Sequence, residues 1–552
     1  MYVRVKTVKT KNATHEYLQL VTSSREGHRV IQRVVATIGR KDHLQLDGTI
    51  DRLVESLGRY TERVTVLDAL KDGQIVAEQC PEWGPALVFD RLWEEVGLGP
   101  TLRRLALSRG FQFDVERVAF AMALQRLVQP KTGSDRNGLE WLRHCRIARL
   151  TDERRQFEIE LQHFYRTTGF LAQHKEGIES ALWDRGRDLF NYQVDVALFD
   201  TTSVYFEGRG PIGLAEFGKS KDGKYDCRQV VVGVVLSGDG WPLCTEIWPG
   251  NMSDKKTVVP ILDALKKRFQ IRQVIFVADR GMVSKANLEA VQDAGYNYII
   301  GCKMRGDKEV RDKVLARPGR YHEVADNLRV KEVWIGEHRY IICHNPQEEE
   351  RDRQDREKIL SALRDKIVGQ SAKKLTGNRG YKRFLKTPPR GTIEIDEASA
   401  EQDARYDGKY VLRTSTDWTP EQLALAYKSL WQVERFFRDY KGLIDARPIY
   451  HHKVDNVRGH LVGSFLSLYL AVALRKRLAR LGEKEGRVEW NPLMQDLREV
   501  RAVHIQIAGR AYLVRTELRG QAHLAFSAVG MKPPMRVQPQ PTSDDPAKVR
   551  IV

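Results

Sequence analysis

The sequence predicts a mixed α/β fold, and three observations support this prediction. Between residues 192 and 302, β-branched runs and amphipathic stretches follow the order strand, hairpin, helix, strand, helix, strand. Two of these runs end in an aspartate, Asp200 and Asp279. A second β-rich stretch follows, and helical periodicity returns after residue 419. We therefore expect a mixed sheet with flanking helices, interrupted by a β-rich insertion and preceded by N-terminal β and helical regions.

Length, charge and cysteine usage limit the class of protein. A chain of 552 residues is too long for one hydrophobic core. Its formal net charge of +18 favours a polyanionic partner, nucleic acid first, although a chain of this size can also be basic without one. The six cysteines form no CxxC pair, which predicts reduced thiols in a cytosolic protein. The longest apolar run, Leu461–Leu474, has 14 residues and predicts a buried core helix rather than a membrane span.

Changes in the pattern predict six regions along the chain. They are residues 1–75, an N-terminal β-rich unit; 76–190, a helical region and candidate DNA-binding region; 191–302, the first part of the α/β core; 303–406, a β-rich insertion domain; 407–480, the second part of the core; and 481–552, a C-terminal region with a disordered tail from Val537. The helical region is basic, and a helix with such charge can enter a major groove. Its arginines include Arg103, Arg104, Arg109, Arg117 and Arg126.

A basic segment lies inside the expected insertion. Residues Gln370–Arg390 contain no acid and seven cations: Lys373, Lys374, Arg379, Lys382, Arg383, Lys386 and Arg390. Tyr381 and Phe384 are interleaved with them. Cations with aromatics suit a phosphate backbone and an exposed base, and a solvated loop is the equal alternative.

The stretch Tyr427–Lys441, YKSLWQVERFFRDYK, is predicted to be helical after a start at Thr419. One stripe is apolar and predicts packing against a core: Leu423, Ala426, Leu430, Val433, Phe437 and Tyr440. Tyr427, Glu434 and Lys441 are spaced by seven and predict a second column, which Arg438 joins. Such a column on a lone helix would be an ordinary charged surface. The nearby histidines His451, His452 and His460 are metal ligands by type, but structural histidines are the commoner case.

Three acids form a candidate site: Asp200, Asp279 and Glu434. Carboxylates at the ends of neighbouring strands converge, and a helix packed on the sheet can supply a third. Oxygen-only clusters suit magnesium or manganese. Two such ions ~4 Å apart activate a water or a 3′-hydroxyl in phosphodiester chemistry. Either aspartate alone would be a plain turn residue, so the prediction depends on the joint order of the elements.

The chain resembles the DDE transposases of bacterial insertion sequences, within the ribonuclease-H-like superfamily, over roughly Val194–Leu474. FDTTSVYFEG contains Asp200, VIFVADRGMVS contains Asp279, and GKSKDGKYDCRQVVVG and PGNMSD also look like this family. The third acid lies in a stretch similar to the Tyr-x2-Arg-x3-Glu-x6-Lys signature: Tyr427, Leu430, Glu434 and Lys441. The arginine position holds Leu430, for which Lys428 or Arg438 is expected to substitute. In this family a β-rich domain is inserted before the glutamate, and 155 positions separate Asp279 from Glu434.

The resemblance implies magnesium-dependent cleavage at transposon ends, with manganese able to substitute, and then joining of the 3′-hydroxyls to target DNA. Asp200, Asp279 and Glu434 would be the catalytic metal ligands. The expected DNA contacts are Tyr427, Arg438, Lys441 and Arg280 near the acids, and Lys373, Lys374, Lys382 and Arg383 in the basic segment. Double-stranded DNA is the implied partner, a homodimer or larger assembly is expected because two ends must be joined, and the bacterial cytoplasm is the implied location.

Three alternatives remain open from the sequence. A ribonuclease-H-like nuclease would cut DNA without joining it. A domesticated DNA-binding protein would have lost catalysis, which the intact acids argue against. A glycoside hydrolase also uses paired carboxylates, but the net charge and the basic segment do not favour a neutral sugar.

Overall fold

The structure is a computed structural model that describes residues 1–10, 13–26, 29–46, 48–58, 75–129, 134–152, 158–190, 195–271, 273–282, 284–367, 379–386, 393–485, 488–507 and 510–540. The chain divides into two compact units. The first comprises Met1–Pro81, Val500–Glu517 and Pro534–Val552, and the second comprises Glu82–Glu499 and Leu518–Pro533. The bounds of the six regions expected from the sequence remain a prediction.

The strands are β1 (Tyr2–Lys9), β2 (Thr14–Glu26), β3 (Arg29–Arg40), β4 (Ile75–Gln79), β5 (Val196–Tyr205), β6 (Gln229–Ser237), β7 (Pro242–Pro249), β8 (Ile275–Ala278), β9 (Asn297–Gly301), β10 (His322–Ala325), β11 (Leu328–Ile335), β12 (His338–His344), β13 (Leu385–Lys386), β14 (Glu394–Ile395), β15 (Lys409–Thr414), β16 (Ala502–Ile507), β17 (Arg510–Arg515) and β18 (Val537–Pro539).

The α-helices are Lys41–Leu46, Thr49–Gly58, Gly84–Glu95, Leu98–Ala106, Val115–Val128, Asp135–Leu142, Leu161–Gln173, Lys175–Phe190, Val258–Asp263, Lys285–Asp293, Pro346–Ile367, Arg379–Lys382, Glu397–Ala404, Pro420–Lys428, Trp431–Gly442, Val454–Glu485, Trp490–Arg498 and Ala522–Ala528. Short 3₁₀ turns occur at Asp254–Thr257 and Arg280–Met282, and π turns at Ala264–Arg268 and Val310–Val314.

The first unit is built on two antiparallel sheets. β1, β2 and β3 form one, with β2 in the centre, in the region where the sequence predicted β structure. The other has the order β18-β17-β16-β4. The strand β18 occupies Val537–Pro539, where the sequence predicted the start of a disordered tail, because it pairs with β17. Residues 541–552 of that tail lie outside the described residues.

The second unit contains a nine-stranded mixed sheet, which confirms the predicted mixed α/β class. Its order is β10-β11-β12-β15-β9-β8-β5-β6-β7. β8 pairs in parallel with both β5 and β9, and the other pairs are antiparallel. The strands expected in the insertion, β10 to β12, therefore extend the same sheet through β15.

One face of the central strands forms a hydrophobic core. Phe199 of β5 and Phe276 of β8 pack there with Leu265 and Val291 from the flanking helices. Because side chains alternate along a strand, the neighbours of Phe199 point to the opposite face. The helix Trp431–Gly442 packs against β5 and β6, on the sheet region that carries those neighbours.

The apolar run predicted as a core helix lies within Val454–Glu485. This helix packs against Leu161–Gln173 and Val115–Val128. Residues Val454–Gly482 have the length and composition of a membrane span, but 89% of their most apolar window is buried inside the protein. The prediction of a buried core helix is therefore confirmed.

Candidate active site

Asp200 and Asp279 lie side by side on neighbouring parallel strands. β5 and β8 are paired with Phe199 opposite Ala278, so the two aspartates follow at the same level. Adjacent strands are about 4.8 Å apart, which brings the carboxylates within electrostatic range of each other. Asp279 ends its strand as predicted. Asp200 does not, because β5 continues to Tyr205 through its pairing with β6.

Glu434 comes from a helix that is separate from the helix of Tyr427. The sequence predicted one continuous helix, but the structure has Pro420–Lys428 and Trp431–Gly442. The predicted start is confirmed, since Thr419 forms a capping box with Gln422. The helix is interrupted at Leu430, whose N–H bonds the carbonyl of Tyr427 at 3.0 Å in a three-residue turn. The predicted single column of side chains is therefore wrong.

The three predicted acids line one cavity of about 340 Å³. Its lining residues are Asp200, Asp279, Asn327, Leu328, Asn345, Tyr410, Tyr427, Lys428, Leu430, Trp431 and Glu434. Leu430, predicted as a packing residue, is only half-buried and lines this cavity. Lys428 lines it as well, whereas Arg438 lines a different groove beside Trp490.

The environment of Asp200 disfavours its charged form. Burial raises the pKa of this carboxyl above its usual range, and the nearby charges of Asp279 and Asp254 act in the same direction. The Lys221 ammonium, 3.5 Å from Asp200 Oδ1, and the Thr201 N–H, which donates to Asp200 Oδ1 at 2.7 Å, oppose that rise. A divalent cation would relieve the same repulsion between carboxylates.

Lys221 and Asp254 are site residues that the sequence reasoning missed. Asp254 Oδ1 accepts a hydrogen bond from Thr201 Oγ1 at 2.7 Å. Lys221 Nζ lies 4.0 Å from the same carboxylate and 3.0 Å from Thr201 Oγ1. The stretches GKSKDGKYDC and PGNMSD contain these two residues and were noticed only as family-like. Their charged side chains were the available signal.

Tyr427 contacts the second aspartate. Its hydroxyl donates to Asp279 Oδ1 at 3.3 Å, and its ring stacks on Tyr410 with centroids 5.6 Å apart. Burial raises the pKa of Tyr427, and the Asp279 charge adds to the effect, so the hydroxyl keeps its proton at neutral pH. Gly301 makes room for this hydroxyl, since a Cβ there would lie 2.3 Å from it.

Lys441 is turned toward another acid. Its Nζ forms an ion pair of 2.8 Å with Asp222, which Arg447 also contacts. Burial lowers the pKa of Lys441, and the Asp222 carboxylate counteracts this effect. Arg280 is exposed next to Asp279. Among the predicted DNA contacts near the acids, Tyr427 therefore lines the cavity, whereas Lys441 is held by Asp222.

The basic segment is only partly described, because Lys373, Lys374 and Arg390 lie outside the described residues. Lys382 and Arg383 are exposed. The expectation that Phe384 meets an exposed base is wrong, since it is fully buried with Leu360, Leu363 and Ala400. Tyr381 packs against this cluster and accepts a hydrogen bond from Lys366 at 2.8 Å.

Three arginines of the helical region form ion pairs with acids of the same region. Arg117 is buried and bonds Glu116 and Asp90, and Arg103 bonds Glu94 at 2.7 Å. Arg126 is buried near Asp135. Arg104 and Arg109 remain exposed. Much of the positive charge in this region is therefore structural.

The cavity is lined by oxygen ligands of the type that a hard divalent cation prefers. Asp200, Asp279 and Glu434 offer carboxylate oxygens, and repulsion between Asp200 and Asp279 favours a cation between them. The side chains are not gathered into a ready cage, since no group of three His, Cys, Asp or Glu residues close enough to hold a metal occurs in the described part of the chain. The histidines considered as ligands by type include His451 and His460, whose rings are 5.4 Å apart.

Comparison with known protein families agrees with this geometry. A family model described as Transposase DDE domain matches residues 193–470, half of the chain. A second, described as the N-terminal domain of the IS1634 family transposase, matches residues 3–70. The chain belongs to the DDE transposases of bacterial insertion sequences, and its core is ribonuclease-H-like.

Comparisons with single proteins add little. No curated protein matches the chain. Among solved structures, the chain is similar to the piggyBac transposase synaptic complex with hairpin DNA, with 10% identity and a TM-score of 0.35 over 75% of this chain and 79% of that one.

Proposed function

We propose that this transposase cuts DNA at the ends of an insertion sequence and joins the freed 3′-hydroxyls to target DNA by two-metal phosphodiester chemistry. The single observation that carries the proposal is the cavity that Asp200, Asp279 and Glu434 all line. Those acids come from two strands and a helix that lie far apart in sequence.

Asp200, Asp279 and Glu434 would hold the divalent ions, with Mg²⁺ as the natural choice and Mn²⁺ as a substitute. When bound, such ions activate the attacking oxygen and stabilise the leaving oxygen of a phosphodiester. The Tyr427 hydroxyl donates to Asp279 and orients that carboxylate. Lys428 places a cation at the rim of the cavity, where it would neutralise a DNA phosphate.

Double-stranded DNA is the proposed substrate, with the basic segment and Arg280 as contacts outside the cavity. Lys382, Arg383 and Arg280 are exposed, so phosphates can reach them, although Arg383 also pairs with Asp403 at 3.4 Å. Transposition requires two ends in one complex, so a dimer or larger assembly on DNA is part of the proposal. A bacterial cytoplasmic location follows from a DNA substrate inside the cell.

The test uses Glu434→Gln, which keeps the side-chain shape but removes the charge. Glu434 is exposed at the cavity and its helix is anchored by buried Val433 and Phe437, so the fold is expected to survive. A neutral amide is a poor ligand for a hard cation. Cleavage in magnesium should fall by orders of magnitude, while a gel shift with end DNA stays at the parent level.

Asp200→Asn and Asp279→Asn should behave in the same way. Glu421→Gln is a matched control, because Glu421 is exposed on the preceding helix and outside the cavity lining. Cleavage by Glu434→Gln at near the parent rate would show that the three-carboxylate site is wrong. A strand-transfer assay on the same samples distinguishes a transposase from a nuclease that only cuts.

A further inference from the structure

The loop between β5 and β6 carries a cation into the acidic site. Lys221 Nζ contacts the carbonyl and hydroxyl oxygens of Thr201 and lies 3.5 Å from Asp200 Oδ1 and 4.0 Å from Asp254 Oδ1. The Lys221 side chain is 34% exposed, and its ammonium is held by its contacts with these oxygen atoms. The Lys221 ammonium therefore interacts electrostatically with two carboxylates.

Hydrogen bonds to two serine hydroxyls, Ser203 and Ser220, hold the loop that presents this ammonium. The backbone N–H of Lys221 donates to Ser203 Oγ on β5 at 2.8 Å. The Ser220 hydroxyl accepts from the N–H groups of Asp222 at 3.2 Å and Lys224 at 3.0 Å. These hydrogen bonds stabilise the turn internally and also attach it to β5, the strand that contains Asp200.

The third anchor comes from the helix of Glu434. Asp222, the residue after Lys221, is 10% exposed and pairs with Lys441 Nζ at 2.8 Å; Lys441 itself is 12% exposed. Arg447 binds the other oxygen of Asp222. An ion pair with both partners mostly buried is costly to break on one side, since the remaining charge is left without compensation. Lys441 thus links the Glu434 helix to the Lys221 loop.

We propose that Lys221 sets the divalent-metal affinity of the Asp200 carboxylate, and that Lys441 positions Lys221 through Asp222. The ammonium neutralises Asp200 and Asp254 before an ion arrives and then competes with that ion for Asp200. Both lysines are positioning residues. This inference rests on the proposed function, because it assumes that Asp200 is a metal ligand.

The experiment measures Mn²⁺ binding to the full-length protein without DNA, by electron paramagnetic resonance of the free ion. Removing a unit charge about 4 Å from a ligand should tighten binding, so Lys221→Met is expected to lower the Mn²⁺ dissociation constant about tenfold. Lys441→Met should lower it as well, by a smaller factor. Lys441→Arg keeps a cation for Asp222 and should retain the parent value.

The double variant Lys221→Met/Lys441→Met decides between positioning and a direct effect of charge. If Lys441 acts through Lys221, the double variant binds Mn²⁺ no more tightly than Lys221→Met alone. Independent, additive changes would overturn the positioning role, and an unchanged constant in Lys441→Met would do the same. Lys224→Met removes an exposed charge from the same loop and is the matched control.

Failure of the inference is distinguishable from failure of the proposed function. Asp200→Asn must weaken Mn²⁺ binding if Asp200 is a ligand at all, and parent-like binding there would refute the metal site. Weakened binding in Asp200→Asn together with unchanged binding in Lys221→Met would overturn only the role of Lys221. Thermal unfolding of each variant establishes that the protein measured is folded.

Discussion

At the scale of single residues, Asp200 is the most constrained acid of the site. Its carboxyl is half-buried and lies next to Asp279 and Asp254, and the Lys221 ammonium and the Thr201 N–H compensate its charge only in part. Because the pKa of Asp200 is raised, its charged carboxylate lowers the stability of the folded, metal-free protein. Such a cost is typical of sites where function is favoured over stability.

We predict that Asp200→Asn stabilises the metal-free protein at neutral pH while it abolishes cleavage. The folded-state pKa of this acid lies above its ordinary value of 3.8, so the folded state binds the proton more tightly than the unfolded state. Its contribution to stability therefore falls as the pH rises from that value through the folded pKa. Asparagine removes the ionisation, so the melting temperature at pH 7 in EDTA should rise by roughly 1 °C.

The difference in melting temperature between Asp200→Asn and the parent should shrink as the pH is lowered, because the parent carboxyl then becomes neutral too. Asp226→Asn is the control, since Asp226 is exposed and its charge carries no comparable burial cost. A melting temperature below the parent at pH 7 would show that the ion pair with Lys221 outweighs the burial of Asp200.

At the scale of elements, the break between Pro420–Lys428 and Trp431–Gly442 separates the contacts of the signature residues. Tyr427, before the break, contacts Asp279, while Lys441, after it, contacts Asp222. Leu430 lies at the break and lines the cavity, and it occupies the position at which the signature expected from the sequence resemblance has an arginine. The cavity therefore has no cation at position 430, and Lys428 provides a cation two residues away.

Leu430→Arg is expected to add one DNA phosphate contact. Leu430 is half-buried, so the aliphatic part of an arginine can cover the same surface while its guanidinium reaches the cavity. The slope of log affinity for end DNA against log salt should steepen by about one. Leu425→Arg, at an exposed position of the preceding helix, controls for the added charge. A slope equal to that of the control would exclude a special role for position 430.

The basic segment is predicted to contact DNA through its cations alone. Replacement of Lys373, Lys374, Lys382 and Arg383 by alanine should weaken binding and flatten its salt dependence by about one unit of slope per lost contact. Arg383 also pairs with Asp403 at 3.4 Å, so Lys382→Ala is the cleaner single change. Gel shifts over a series of salt concentrations measure the slope, and an unchanged slope would reduce the segment to a solvated loop.

At the scale of the whole molecule, the net charge of +18 and the family suit a protein that gathers two DNA ends. We predict a dimer or larger assembly on DNA, because cleavage and joining of two ends require both in one complex. Light scattering of the complex with end DNA should give at least two chains per pair of ends. One chain per pair would rule the assembly out.

Several features followed from the sequence alone because they depend on local interactions. The helix start at Thr419 is an example, because the Thr419 side chain binds the N–H of Gln422, three residues away. The placement of Asp279 after a buried strand followed from β-branched residues and their spacing. The long apolar helix after residue 454 was equally readable, since burial follows from composition.

Other features were decided only by the tertiary structure, because they depend on contacts between distant parts of the chain. Asp222 and Lys441 are 219 positions apart, and no local pattern pairs them. Lys221 meets Asp254 only because a loop folds over β5. Phe384 is buried because a helix of the insertion covers it. The sequence alone thus determined which acids stand at the sheet, whereas long-range packing decided which cations reach them.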